Sequence, residues 1–152
     1  STFFARYESE FTDDYAEPAL LFGWAICRSL EGDETGARNK YFEGILRNFY
    51  ITPMLLEEPD LPRNLWHPND RAEPHYASEF IDSYAILWDR ETGALRLLRE
   101  VWEEIQPLLA KLITLRQKMA DFQDQRYEPS YKAQWKALLA EDEALTTLDD
   151  RE

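Results

Sequence analysis

The sequence predicts an all-α protein, a single helical bundle of five to six helices, on three observations. Apolar and aromatic residues recur every three or four positions along most of the 152 residues, the period of one helix face. No stretch alternates apolar and polar residues as a half-buried strand does. Five of the eight prolines, Pro53, Pro59, Pro62, Pro68 and Pro74, fall within 22 residues, which leaves the periodic segments on either side largely free of helix breakers. A chain of this length fits one domain, so residues 1 to 148 read as a single all-α domain and 149 to 152 as an acidic tail.

Phe3, Tyr7, Phe11 and Tyr15 recur every four residues and predict a first helix that stops before Pro18. Pro18 suits the opening turn of a second, Ala19 to Leu30, whose all-round apolar character predicts burial on several sides and which Gly32 should end. A third helix, about Thr35 to Tyr50, sets Ala37, Tyr41, Ile45 and Phe49 in one row. From Ile51 to His75 the prolines exclude a continuous helix, and the segment reads as a long irregular crossing. Met54, Leu55, Leu56, Leu61, Leu65 and Trp66 make it too apolar for a solvated linker, so it should be tied down. Ordered loops of such length are often functional.

A fourth helix, about Tyr76 to Trp88, presents Tyr76, Ala77, Phe80, Ile81, Tyr84 and Trp88 on one side, and a turn at Asp89 to Gly93 follows. The fifth, near 94 to 125, is striped by Leu98, Val101, Ile105, Leu109, Leu112 and Met119, and Pro107 should bend it. Glu128-Pro129-Ser130 punctuates the chain before a sixth helix bearing Tyr131, Trp135, Leu138 and Leu139.

The formal net charge is -13, and it is unevenly placed: residues 1 to 17 carry -4 and residues 141 to 152 carry -5, while 18 to 50 net zero and 123 to 140 net +1. An acidic surface repels polyphosphates and anionic lipid, so direct nucleic-acid or membrane binding is not expected. The longest unbroken apolar run, Ala19 to Cys27, is nine residues, about half of a bilayer span. The opening Ser1-Thr2-Phe3-Phe4 lacks the features of a secretory signal and Cys27 has no second cysteine to pair with. A cytoplasmic location is the expectation.

Four constellations invite chemistry. Glu79-x-x-Asp82 followed by Glu100-x-x-Glu103 resembles the acidic layout by which all-α nucleotide pyrophosphohydrolases hold Mg²⁺, with the order of the two pairs reversed. At 100° per residue, however, each pair points away from the apolar stripe of its own helix, which predicts a solvated face. Arg63-x-x-x-His67 and Arg71-x-x-x-His75 pair a guanidinium with an imidazole, as RNA-cleaving sites do, but lie in a Pro-rich loop of an acidic chain. Asp13-Asp14-x-x-Glu17 is similar to one half of the aspartate-rich site of isoprenoid synthases, without a second motif, and reads as an acidic helix end. His67 and His75 with Asp70 and Glu73 show no spacing that fixes two metal ligands on one face. No metal and no cofactor are expected.

What remains is a surplus of aromatic surface without chemistry, which predicts a non-catalytic protein–protein interaction module, a small accessory or adaptor subunit. Trp66 is the expected anchor, with Met54, Leu55, Leu56 and Leu65 around it, the alternative for this residue being that it plugs one open end of the bundle. The alternative is an acidic inhibitor (an antitoxin, immunity protein or partial nucleic-acid mimic) of a basic enzyme, acting through Glu141, Asp142 and Glu143. A Mg²⁺-dependent nucleotide hydrolase using Glu79, Asp82, Glu100 and Glu103 is the third reading.

Overall fold

A computed structural model describes residues 17–90 and 92–147. The expected first helix at Phe3 to Tyr15, the Asp13-Asp14 pair and the acidic tail at 149 to 152 lie outside these residues. The described chain is all-α: α1 (Pro18–Leu30), α2 (Glu34–Arg47), α3 (Ile51–Leu56), α4 (Pro74–Tyr84), α5 (Ile86–Arg90), α6 (Thr92–Phe122) and α7 (Tyr131–Thr146), with single 3₁₀ turns at Asp70–Ala72 and Gln123–Gln125. There is no strand among the described residues, and no helix there is long and apolar enough to cross a membrane.

Pro18 occupies the first turn of α1, where its missing N–H has no partner to lose. The helix closes through Gly32 at φ 83, a left-handed value that glycine adopts without a Cβ clash. Asp33 then caps α2, its Oδ1 accepting from the Gly36 N–H at 2.9 Å. The two helices form a hairpin whose close approach depends on Gly44. A Cβ there would meet the Phe22 ring at 2.7 Å.

Phe22 is the hub of the main core. Its ring lies 5.8 Å from Tyr41, 5.7 Å from Phe80 and 6.2 Å from Trp88, all tilted or edge-on, the geometry aromatic quadrupoles prefer. The buried polar atoms of this cluster satisfy one another in a chain: the Trp88 indole donates to the Tyr41 hydroxyl at 3.0 Å, which donates to the Ala94 carbonyl at 3.1 Å. Burial pushes the Tyr41 phenol well above its ordinary pKa, so it stays a neutral donor that ties α2 to α5 and α6.

Several boundaries differ from the sequence expectation: α2 stops at Arg47 rather than Tyr50, and the expected turn at Asp89 to Gly93 is largely taken up by the end of α5 and the start of α6. The segment 76 to 88 is not one helix, because the chain turns at Ala85 and restarts as α5, with the Trp88 and Asp89 N–H groups both donating to the Ala85 carbonyl. The helix-like period continues through the break, which is why periodicity did not reveal it. The irregular crossing is also shorter than expected, since residues 51–56 form α3. Pro53 is tolerated there because it sits in the first turn, where N–H groups have no intrahelical acceptor. Glu57, at φ 55, ends this short helix.

The rest of the crossing is stapled down by hydrogen bonds. Asn48, 1% exposed, donates to the Arg71 and Glu73 carbonyls at 2.9 and 3.1 Å and accepts from the Tyr50 N–H at 2.8 Å. Tyr50 in turn donates to the Pro62 carbonyl at 2.8 Å. Further on, α6 runs 31 residues through Pro107 without interruption. Pro107 and Glu103 are both on the exposed side, so water can reach the carbonyl that the proline ring deprives of its helical donor.

Candidate functional site

The acidic quartet does not form a site. Glu79, Asp82 and Glu103 are exposed, whereas half-buried Glu100 is engaged by Arg96 at 2.7 Å and faces Arg38 at 3.6 Å. Among the described residues, no group of three or more His, Cys, Asp or Glu side chains is placed to hold a metal ion.

The guanidinium groups of the two arginine–histidine pairs are engaged by carboxylates. Arg63 is bound to Asp60 at 2.8 Å, Arg71 lies 3.3 Å from Glu17, and His75 is exposed. His67 turns inward, its side chain only 3% exposed, with Nε2 at 3.3 Å from the Tyr50 hydroxyl and 3.9 Å from Glu73. Burial lowers its pKa against the opposing pull of Glu73, and burial likewise raises Tyr50 to about 12. This cluster helps secure the crossing.

Of the expected partner-binding residues, Leu56 and Leu65 are buried, and Met54, Leu55 and Trp66 are half-buried. Trp66 packs edge-to-face on Trp135, with centroids 5.8 Å apart. Its backbone N–H donates to the Arg116 carbonyl at 3.1 Å. Glu141 and Glu143 are exposed on α7, but Asp142 between them turns inward and is 6% exposed. There it accepts two hydrogen bonds from Arg116, at 2.7 and 3.1 Å, a bidentate fork that specifies orientation as well as charge. The Arg116 guanidinium also lies 4.5 Å from the Phe49 ring centroid and 5.8 Å from that of Trp66. One arginine, 2% exposed, thus touches the α2–α3 connection at Phe49, the crossing and α7.

Sequence reasoning missed this pair, although a signal existed. Arg116 falls four residues after Leu112 and three before Met119, and Asp142 four after Leu138 and three before Leu145. Both charges occupy apolar-row positions, the pattern of an internal ion pair.

Beside the pair, α6 and α7 diverge into a cleft of about 500 Å³. Lys111, Thr114, Leu115 and Lys118 line the α6 wall together with Ala110, and Glu141 and Leu145 line the other. Leu115 and Leu145 make its floor apolar. Among the described residues, Lys111, Lys118 and Glu141 make no ion pair.

A second uncovered surface lies at the Ala85 turn. Tyr84, Ile86 and Leu87 are 47%, 53% and 42% exposed, while Trp88 is 2% exposed. The sequence expectation had placed Tyr84 on the core side. The turn at Ala85 and the five-residue length of α5 explain the difference, because this short helix commits its inward direction to Trp88 and leaves its other large side chains outside. Comparisons of this chain with protein families, with curated proteins and with solved structures give no match.

Proposed function

We propose that this protein is a non-catalytic protein–protein interaction module, a small accessory or adaptor subunit of a larger complex in the cytoplasm. The observation that carries this reading is the apolar corner at Tyr84, Ile86 and Leu87, three large exposed side chains within four residues. Small proteins seldom leave neighbouring large apolar side chains in water unless a partner covers them, and a Tyr beside aliphatic residues is a common interface anchor. The net charge of -13 favours a protein partner over nucleic acid. The acidic-inhibitor reading has weaker support, because Asp142 is consumed by Arg116 and cannot be offered to a basic target.

The test is affinity capture from native extract with the intact chain and with an Ile86→Glu/Leu87→Glu variant. Both positions are exposed, so the variant should keep its thermal stability. A stoichiometric partner retained by the parent and lost by the variant is the expected result. Equal capture by both, or no stoichiometric partner at all, contradicts the proposal.

A further inference from the structure

We infer that the α6–α7 cleft is a docking groove for an acidic amphipathic helix of a partner protein. This deepens the interaction reading but rests on a different surface from the corner at residues 84 to 87, so each can fail alone. The two walls are helices, and the furrow between them is open along one side. An open furrow suits a helix that lays one row of side chains into it, whereas a small molecule requires a site that encloses most of its surface. No sheet edge is present among the described residues to pair with an extended peptide.

The charges define the helix that fits. Lys111 and Lys118 stand seven residues apart on one side of α6, about 10 Å along the axis at 1.5 Å per residue, with Thr114 and Leu115 between them. Both are exposed and neither is neutralised by a described residue. A helix carrying carboxylates at i and i+7, with apolar residues at i+3 and i+4 between them, meets both ammonium groups while its apolar row rests on Leu115 and Leu145. Glu141, on the opposite wall and also unpaired, accepts a cation from the helix's other flank and so fixes its direction.

The protein's own negative charge opposes an acidic partner at long range. At physiological salt the Debye length is about 8 Å, so remote carboxylates are largely screened while direct lysine–carboxylate contacts act within it. Recognition is therefore local, with apolar burial supplying affinity and the two lysines supplying selection.

The probe is a fluorescent synthetic helix of about 18 residues, long enough to hold helical structure, with Glu at i and i+7 beside a Leu row. It is compared by anisotropy with the same peptide carrying Gln, and then Lys, in place of Glu. The full chain should bind the Glu peptide about fivefold or more tightly than the Gln peptide, the scale of two exposed ion pairs, and bind the Lys peptide least. A Lys111→Glu/Lys118→Glu variant, with circular dichroism and melting unchanged, should reverse that order, and Ile86→Glu/Leu87→Glu should leave it intact. Equal binding of all three peptides, indifference to the charge reversal, or no binding by the full chain overturns the proposal.

Discussion

The bundle body and the α6–α7 hairpin solve the same packing problem with different chemistry. In the body, Phe22, Tyr41, Phe49, Tyr50 and Trp88 are at most 2% exposed, and the polar atoms they bring inside are neutral hydroxyl and indole groups bonded to one another or to backbone carbonyls. In the hairpin the buried apolar set shrinks to Leu115, Met119 and Leu138, with Trp66, Phe122, Trp135 and Leu145 at its edge. There a bidentate ion pair stands in the middle. A large aromatic cluster stabilises by burial and needs little else. A thin apolar seam leaves helix register loosely specified, and a buried pair that works in only one register supplies what burial does not.

The difference predicts an ordered series of effects. Trp88→Ala should be the most damaging, about 3–5 kcal/mol, and should lower the stability of the whole chain in urea unfolding followed by circular dichroism. A loss below about 1 kcal/mol would mean the body is not organised around this cluster. Asp142→Ala should cost about 3 kcal/mol by leaving Arg116 charged and unpaired. Its effect should be local, read as faster amide exchange in α7 than in α1 and α2. Replacing both partners as Arg116→Met/Asp142→Leu should recover most of that loss, because the pair's desolvation cost disappears with it. If the double replacement is as unstable as the single one, the pair stabilises the hairpin outright and the contrast with the body weakens.

The Trp66–Trp135 contact should contribute less. A double-mutant cycle with alanine at both positions should give a coupling of about 0.5–1.5 kcal/mol, the range for edge-to-face aromatic pairs. Zero coupling would detach the crossing from the hairpin. The smallest effect should come from His67, whose imidazole burial holds below its ordinary pKa of 6.5. The unfolded chain then binds this proton more readily than the folded one. The His67 contribution is accordingly complete above the unfolded pKa, declines as pH falls through it, and levels off below the folded pKa. Urea melts at about pH 7.5 and about pH 5.5 should show a smaller acid-side loss for His67→Gln than for the parent. Identical pH dependence would show that the crossing opens to protonation without resistance.

Much of this architecture was legible without coordinates. The aromatic row of α2, the stripe of α6 and the stop at Gly32 are local patterns, and local patterns follow from helix period and glycine's freedom at positive φ. Ala85 was not legible, because a one-residue turn leaves the apolar spacing on both sides nearly in phase. Nor was the helical start of the crossing, where Pro53 looks like a breaker until its first-turn position is known. At the candidate sites the gap is wider. The Pro-rich setting of Trp66 left open whether it anchors a partner or plugs one end of the bundle, and its side chain is half-buried against Trp135. Tyr84, Ile86 and Leu87, by contrast, are exposed together at the turn whose existence the sequence hid.

By itself, the sequence determined the all-α class, the main helical stripes and the surplus of acid at both ends, because each depends on residues within a few turns of one another. Only the tertiary structure decided that Arg116 meets Asp142 across 26 residues, that Lys111 and Lys118 face an open cleft, and that Glu79, Asp82, Glu100 and Glu103 do not converge. Those outcomes depend on how helices dock. Docking is set by side-chain shape and charge summed over contacts distant in the chain, which no local period records.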